Sequence, residues 1–534
     1  MSTDEAADVP GEQAASAEDL DAEASPKRGL AAAAVAVAGL SALSSVLGLV
    51  RDLSLAGFFG ASGATDAFLV AWTVPETVTP LLLEGAMTSL LVPLFVAEIV
   101  RRRSINRLVR LTLLPYLSLL LVMTVLSVIA APVLVKLLAP DLSDPQLAVQ
   151  CFRYACLTLF FMGAAGYLVA ALRAHDSFVR PALIYAAYNV GILTCMFLWH
   201  EHLGVLSAAI GLAVGSVMMV AVQLPHFLRL ISLRGLQFRI SRRFVIAASA
   251  FLPIAIYTLG RQAQVFVERI VGSTLGAGSI SYMNYASKVG QLPLMLVLSI
   301  ATVAFPSLAR AAATSTGVAS QADRVLRQVV LMTLPAMMFL IAFAHPVVQV
   351  MFERGAFDSS DTLTTASVLT LYSFGLLGQV LVSVGTLVAF AQRGHVWMPA
   401  VAAGACLLVT IVLDVTLSPG IGVRALGIGN ASGITVAAIV VLIGLNRSVG
   451  WKPGNLNRLL LLATPLAVSA AVAARLLCNV LHLSGLVEIL LGSAMTVVVF
   501  VAAALLVRMP EARELTAAAI DFSRNLRLGV ERRR

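Results

Sequence analysis

Charged side chains are scarce in this chain, and their scarcity decides its class. Asp, Glu, Lys and Arg make up 12% of the 534 residues, whereas about a quarter is usual in soluble domains. Hydrophobic residues reach 59%, and the mean hydropathy is +0.92. A soluble globular protein is therefore excluded, and the composition predicts an all-α integral membrane protein.

Lysine and cysteine are also rare, and familiar catalytic motifs are missing. None of the four lysines follows a glycine-rich loop, so the P-loop motif is absent and ATP hydrolysis by this chain is excluded. The five cysteines lack metal-ligand spacing, and His200-Glu201-His202 departs from the H-E-x-x-H zinc pattern. The loops are short, whereas a membrane glycosyltransferase needs placed carboxylates on sizeable loops. The sequence therefore predicts neither an enzyme nor a metal site.

Apolar stretches of about 20 residues, the length that crosses a bilayer, occupy nearly the whole chain. Fourteen can be separated at charged or Pro/Gly breaks, which leaves no room for a soluble domain. The predicted spans are 30–50, 67–97, 111–138, 150–172, 181–199, 204–228, 244–270, 282–308, 327–351, 363–390, 397–417, 423–445, 457–480 and 485–507.

Basic residues alternate between the loops. Every second loop is basic, as at 101–110 and 229–243, whereas intervening loops hold acidic residues such as Asp141 and Asp358. Because Lys and Arg in short loops are retained on the cytoplasmic side, both termini are predicted to be cytoplasmic. The net charge of +9 follows mostly from this topology, so no nucleic-acid partner is predicted.

The two halves of the chain resemble each other. GVLSAAIGLAVG at 204–215 aligns with GVRALGIGNASG at 422–433, which pairs Gly204 with Gly422 and Gly215 with Gly433. The repeat predicts two six-helix lobes around a central cavity plus two C-terminal helices, an architecture typical of transporters. The predicted units are a disordered acidic cytoplasmic tail (1–28), an N-lobe (29–230), a C-lobe (244–446), transmembrane helices 13 and 14 (457–508) and a cytoplasmic tail (509–534).

Several charged residues lie in or beside the predicted helices. An Asp or Arg at mid-bilayer costs roughly 2.5–3.5 kcal/mol on insertion scales, so such charges imply a water-lined cavity or bound partners. Cations that face a closed cavity suit a phosphate or pyrophosphate. The alternatives are ordinary interfacial charges at Arg51 and Asp66 and a structural Glu268-Arg269 pair. The charged residues are Arg51, Asp52, Asp66, Glu76 and Glu84, then Arg261, Glu268, Arg269 and Lys288.

The run RDLSLAGFFGASGATDAFLVAWTVPETVTPLLLEGAMTSLLVPLF at 51–95 resembles the R-D, F-G-A, D-A-F, E-G-A and V-P signature of the MurJ/MviN lipid II flippases, in the MOP exporter superfamily. The blocks VERIVGSTLGAGSISYMNYASKVGQLP, FPSL, MFERGAFD and ALGIGNASG lie where that family has similar blocks. Fourteen spans is also its usual number. The resemblance thus extends along most of the chain.

The resemblance implies a flippase that moves lipid II, an undecaprenyl-pyrophosphate-linked disaccharide-pentapeptide, across the bacterial cytoplasmic membrane by alternating access for peptidoglycan and cell-wall biogenesis. It implies a cationic cavity for the pyrophosphate and sugar, and a groove for the lipid tail near the last two helices. Membrane lipids and cell-wall synthesis enzymes are implied partners. The implied substrate-binding residues are Arg51, Asp52, Asp66, Glu84, Arg261, Arg269 and Lys288.

The resemblance also implies an ion-coupling site, because some members use sodium at the second unit. Glu268, Asp414 and Asn430 match its acidic and polar places. Two carboxylates and an amide oxygen supply the hard ligands that such a cation takes. The alternatives are coupling to the membrane potential, and an Asp414 that only ends its helix at the interface.

The chain departs from the family at several cationic places. Ser45 stands where many members have an arginine, Thr79-Pro80 replaces an Arg-Arg pair, and Ser287 replaces an aspartate. Lys288 stands where an arginine is usual. Two alternative functions therefore stay open, namely a flippase for another polyprenyl-linked glycan and a MATE-like exporter of amphipathic small molecules, which would favour an acidic cavity.

Overall fold

The computed structural model describes residues 17–83, 85–100, 105–233, 235–238, 260, 262–314, 317–391, 397–514 and 516. Throughout these residues the regular secondary structure is α-helix. Helices suit a bilayer because each satisfies its backbone N–H and C=O groups within its own segment. The predicted all-α fold class is confirmed.

The first nine described helices form what we call the N-terminal bundle. Helix α1 begins inside the predicted tail, because Ala-rich sequence favours helix and acidic residues suit its first turn. The helices are α1 (Ala17–Phe59), α2 (Gly63–Leu82), α3 (Gly85–Val100), α4 (Ile105–Ile129), α5 (Ala131–Leu138), α6 (Pro145–Ala174), α7 (Val179–Ala182), α8 (Ile184–Leu203) and α9 (Leu206–Leu230).

The remaining helices form the C-terminal bundle. Its first helix, α10, is described over residues 262–273. The others are α11 (Ser279–Thr314), α12 (Val318–Ala342), α13 (Ala344–Phe352), α14 (Ser359–Ser373), α15 (Leu376–Ala391), α16 (Trp397–Ile421), α17 (Arg424–Val449), α18 (Gly454–Val480) and α19 (Gly485–Leu506).

Ten helices in the described part of the chain are long and apolar enough to cross a membrane, or eleven if α14 and α15, which meet at 44°, form one span. The protein is therefore a multi-pass membrane protein. Several predicted spans are divided in the structure. The spans 111–138 and 327–351 break just before Pro132 and Pro346, because proline lacks the N–H that a helix interior needs.

The buried apolar side chains form two main clusters, one in each bundle. Ala56 belongs to the C-terminal cluster and Ile280 to the N-terminal cluster, so the bundles meet at these residues. The described residues therefore form two cores that meet across a boundary between the bundles. The boundaries of the two lobes, 29–230 and 244–446, stay predictions from the sequence.

The helix pairs α8/α9 and α16/α17 pack through glycines that the repeat aligns. A Cβ on Gly215 would lie 2.4 Å from the Tyr188 carbonyl oxygen, and a Cβ on its repeat counterpart Gly433 would lie 2.8 Å from that of Cys406. Tyr188 and Cys406 are themselves counterparts in the same alignment. Aligned positions therefore make aligned contacts, because small residues let helix backbones approach closely in membranes.

Candidate functional site: a charged cavity between the bundles

Arg51, near the end of α1, is held by three partners. Its Nη2 lies 2.7 Å from Asp52 Oδ1 and its Nη1 lies 3.0 Å from Asn189 Oδ1. Its Cζ lies 4.2 Å from the centre of the Trp72 ring. Asn189 is itself fixed, because it donates to the Ser44 carbonyl. The cation is thus locked in place and partly neutralised by Asp52.

A narrow cavity of about 10 Å³, room for about one water molecule, lies between the bundles beside Arg51. Its polar lining comes from Arg51 and Asp52 on α1 and from Asn284 and Lys288 on α11, and Trp72 is part of its apolar wall. Pockets for drug-sized ligands have about 300–1,000 Å³. A large polar headgroup therefore does not fit in this conformation.

Glu76 of α2 faces two cations of the C-terminal bundle, and we call Glu76, Arg269 and Lys288 the charge cluster. Glu76 Oε2 lies 3.9 Å from Arg269 Nη2, and Glu76 Oε1 lies 3.9 Å from Lys288 Nζ. Arg269 is 4% exposed. Glu76 Oε2 and Arg269 Nε are buried and have no hydrogen-bond partner among the described residues. These charges are close enough to attract each other but leave hydrogen-bonding capacity unused.

A second contact between the bundles lies one turn away, at a proline. Pro80 has no N–H, so the Glu76 carbonyl, four residues earlier, loses its helical hydrogen bond. Gln262 of α10 donates to that carbonyl from its Nε2 at 3.1 Å. Pro80 therefore frees an acceptor in a membrane helix, and the other bundle satisfies it.

Asp66, in the first turn of α2, accepts hydrogen bonds from the C-terminal bundle. Its carboxylate accepts from the N–H of Gly278 at 2.7 Å, from the N–H of Ser281 at 2.8 Å and from the Ser281 hydroxyl at 2.5 Å. The side chain is 2% exposed. Three donors stabilise a buried carboxylate, which otherwise would be costly.

Neighbouring loops extend this contact, which we call the latch (57–66 against 278–285 and 354–361). Asp361 accepts from the Ala61 N–H at 3.3 Å and from the Tyr282 hydroxyl at 2.8 Å. The Ala356 N–H donates to the Gly57 carbonyl at 2.8 Å. A Cβ on Gly355, whose φ is +61°, would lie 2.1 Å from the same oxygen. The latch therefore joins the two bundles through hydrogen bonds near the ends of α1, α11 and α14.

A second polar cluster lies inside the C-terminal bundle, and we call Glu268, Asp414 and Asn430 the oxygen cluster. Asn430 donates from Nδ2 to Glu268 Oε1 at 2.6 Å. Asp414 is fully buried, and neither of its carboxylate oxygens has a hydrogen-bond partner among the described residues. A Cβ on Gly429 would lie 1.9 Å from Asp414 Oδ1, so a glycine makes room for this carboxylate. A buried carboxylate without donors calls for a proton or a cation.

The repeat shows how the oxygen cluster arises. At the places that the repeat aligns with Asp414 and Asn430, the N-terminal bundle has Met196 and Leu212. Both are buried apolar residues. The same helix–helix contact is thus apolar packing in one bundle and a polar cluster in the other, which indicates a role beyond packing.

The structure brings some predicted site residues together and leaves others apart. Arg51, Asp52 and Lys288 line one cavity, Arg269 lies with Lys288 in the charge cluster, and Asp66 lies in the latch. The substrate-binding roles of these residues stay predictions. Two further predicted residues lie outside the described residues, namely Glu84 and Arg261.

Four residues of the site were missed by the sequence analysis. Glu76 stood out as a membrane carboxylate, but no role was derived for it. Asn189 and Gln262 are amides in apolar spans, a signal that could have singled them out. Trp72 carried no signal, because a tryptophan in an apolar helix is most often packing or an interfacial anchor. Asp414 is deeply buried and thus does not end its helix at the interface.

Comparison with known proteins gives the family context. The family model described as "Lipid II flippase MurJ" matches residues 55–506. The lipid II flippase MurJ of Burkholderia cenocepacia is 28% identical over 443 residues, covering 79% of this chain and 84% of that protein. The probable lipid II flippase MurJ of Rhizobium meliloti is 28% identical over 451 residues, covering 80% and 79%.

Solved structures show the same fold. A lipid II flippase MurJ in an inward closed conformation superposes with a TM-score of 0.73 at 22% identity, covering 89% of this chain and 99% of that one. An inward-facing multidrug resistance MATE family transporter of the MOP superfamily gives 0.64 at 15% identity, covering 78% and 98%. The arrangement of helices is therefore that of MOP-type transporters.

Proposed function

Because the chain belongs to the MurJ family of lipid II flippases, we propose that it is a transporter that moves lipid II across the bacterial cytoplasmic membrane by alternating access. The observation that carries the proposal is that Arg51 and Lys288, one cation from each bundle, line one cavity. Arginine and lysine are the side chains that bind a pyrophosphate. A site between two repeat units is also where carriers hold their cargo.

We propose the following cycle for these residues. The latch holds the outer side closed, and the bundles separate on the cytoplasmic side so that the cavity widens to admit the headgroup. Rocking of the bundles then breaks the hydrogen bonds of Asp66 and Asp361 and opens the outer side. The small size of the present cavity, about 10 Å³, fits a state between these two openings.

The proposal includes a topology of 14 spans with both termini in the cytoplasm. Ten helices and the bent pair α14/α15 supply eleven spans. The predicted spans 67–97, 244–270 and 282–308 account for the other three, and most of 244–270 lies outside the described residues. In this proposal residues 29–230 and 244–446 are the N- and C-lobes, and exposed apolar side chains of α18 and α19, such as Leu461 and Leu490, contact the lipid tail. Cell-wall synthesis enzymes stay predicted partners.

We further propose that transport is coupled to a monovalent cation such as sodium at the oxygen cluster. Support comes from Asp414, whose buried oxygens have no hydrogen-bond donor among the described residues. Carboxylate, amide and hydroxyl oxygens are the ligands that hard cations take, and Glu268, Asn430 and Thr410 offer them beside it. A cation bound there would neutralise Asp414 and link α10 to α16 by binding both Glu268 and Asp414.

Two alternatives have unequal support. A flippase for another polyprenyl-linked glycan is favoured by Thr79 and Pro80. These residues stand where the family resemblance implies an Arg-Arg pair, so two cations that would face a lipid II headgroup are missing. A MATE-like exporter of amphipathic cations is disfavoured by Arg51 and Lys288, because cations in a cavity repel a cationic cargo.

Complementation tests the proposal. The full chain should rescue a bacterium depleted of its own lipid II flippase, and Arg51→Ala and Lys288→Ala should each reduce rescue at least about tenfold in viable count, because each removes a cavity cation. Lys136→Ala, which removes an exposed cation of α5 away from the cavity, is the matched control and should rescue. Membrane levels of each variant are measured in parallel. Normal rescue by both cavity variants would overturn the cavity assignment.

A further inference from the structure

The charge cluster contains a carboxylate, Glu76, beside two cations that the pyrophosphate of the proposed cargo could also bind. Arg269 and Lys288 come from the C-terminal bundle, and Glu76 reaches them from the N-terminal bundle. All three side chains are at least two-thirds buried, at 4%, 27% and 24% exposed. In such surroundings unit charges about 4 Å apart interact several times more strongly than in water. Glu76 therefore neutralises much of the positive field of the two cations.

The geometry of the cluster is that of a loose ion pair. Both separations are 3.9 Å, beyond hydrogen-bond distance. The Nη2 of Arg269 is 3.4 Å from Asn284 Oδ1, and its Nε has no hydrogen-bond partner among the described residues. The Oε2 of Glu76 is equally without one. Buried polar groups that lack hydrogen-bond partners are available to bind a ligand.

Local structure explains how Glu76 can move away. Proline flanks it at Pro75 and Pro80, so the helix around it lacks two N–H donors. Its own carbonyl is bound by Gln262 of the opposite bundle rather than by its helix. A helix weakened on both sides of one residue bends there at low cost. Separation of the bundles would therefore carry Glu76 away from both cations.

From these observations, and resting on the proposed function, we infer that Glu76 is a displaceable counter-anion that holds the place of the substrate's pyrophosphate when the carrier is empty. The bound pyrophosphate takes over Arg269 and Lys288, and Glu76 returns to them when the headgroup leaves. Glu76 thus weakens binding and favours release. It sets specificity as well, because only a cargo that is anionic at this point competes with it.

Lipid binding to the purified full-length protein in nanodiscs tests the inference. The probes are undecaprenyl pyrophosphate and, as the uncharged source of the same tail, undecaprenol. Glu76→Gln should bind the pyrophosphate about tenfold more tightly than wild type and undecaprenol equally well. Glu76→Gln combined with Lys288→Gln should lose that gain. Asp141→Asn, which removes an exposed loop carboxylate, is the matched control and should bind both lipids as wild type does.

The binding results distinguish failure of the cationic cavity from failure of the counter-anion role of Glu76. If wild type binds the two lipids alike, the cationic cavity of the proposed function is overturned. If wild type prefers the pyrophosphate but Glu76→Gln leaves its affinity unchanged or lower, the counter-anion alone is overturned. Thermal unfolding in the nanodisc checks each variant, and Glu76→Ala, which removes the same charge, takes the place of Glu76→Gln if that variant is not recovered folded.

Discussion

At the scale of the residue, three carboxylates of the membrane helices, two of them buried and one partly buried, have three different environments. Asp66 is bound by backbone and hydroxyl donors, Glu76 faces two cations, and Asp414 has neither among the described residues. A buried charge must be compensated, and the kind of compensation indicates the role. Asp66 joins the bundles, Glu76 faces the two cations of the charge cluster, and Asp414 is available to a cation.

Asp414 yields a prediction about salts. If a sodium ion binds at the oxygen cluster, sodium should stabilise the purified protein more than potassium at equal ionic strength, because a ligand of the folded state adds about 2.7 kcal/mol at one hundred times its Kd. Asp414→Asn should abolish this difference. Thermal unfolding in detergent measures it.

Asp141→Asn serves as the control for the salt experiment, because Asp141 lies on an exposed loop. It should keep the preference of wild type for sodium. Equal stabilisation by both salts in wild type, or an undiminished preference in Asp414→Asn, would refute the ion site.

At the scale of the element, close helix contacts depend on glycine. A Cβ on Gly166 of α6 would lie 1.8 Å from the Leu82 carbonyl oxygen, at the end of α2. Since that atom is backbone, α2 would have to move as a whole. We expect Gly166→Ala to destabilise the protein by about 1–3 kcal/mol, the usual cost of overpacking, and to lower its unfolding temperature in detergent.

Gly404→Ala is the matched control for this packing test. Gly404 lies exposed in α16, with nothing within 4 Å of an added Cβ. Its replacement should leave stability unchanged or raise it by up to about 1 kcal/mol, because alanine is the better helix former. A Gly166→Ala variant as stable as this control would contradict the packing described.

Helix breaks mark where the sequence was hardest to interpret at this scale. Hydropathy predicted one continuous span at 111–138 and one at 327–351, and both are two helices. Pro132 and Pro346 were visible signals for those breaks. The bend between α14 and α15 is different. It lies at Gly375, where an added Cβ would come within 2.8 Å of Ala431 Cα, a contact that hydropathy along one segment does not reveal.

At the scale of the whole molecule, the latch holds the two bundles together at one end. A Cβ on Gly63 would lie 3.5 Å from Ala277 Cβ, across the bundle boundary, once the Ser143 hydroxyl, 2.3 Å away, rotates aside. That separation suits a disulfide. In the double variant Gly63→Cys with Ala277→Cys, oxidation should therefore fix the latch and stop transport, and reduction should restore it.

The disulfide experiment uses rescue of the flippase-depleted bacterium, with cross-linking measured by peptide mass spectrometry. Either single cysteine variant is the control and should be indifferent to the oxidant, because the five native cysteines are buried and free. Full transport by the cross-linked protein would mean that the latch need not open, and alternating access at this end would be wrong.

The sequence by itself determined the membrane class, the family resemblance and most of the candidate site residues, because a charge in an apolar span is costly and so is visible in the sequence alone. It identified Arg51, Lys288 and Glu268 in this way, whereas Asp414 came from the family resemblance. Only the tertiary structure decided which charges meet. Glu76 and Arg269 belong to opposite halves of the chain, yet they face each other across the bundle boundary, because pairing depends on how two bundles dock rather than on any local pattern.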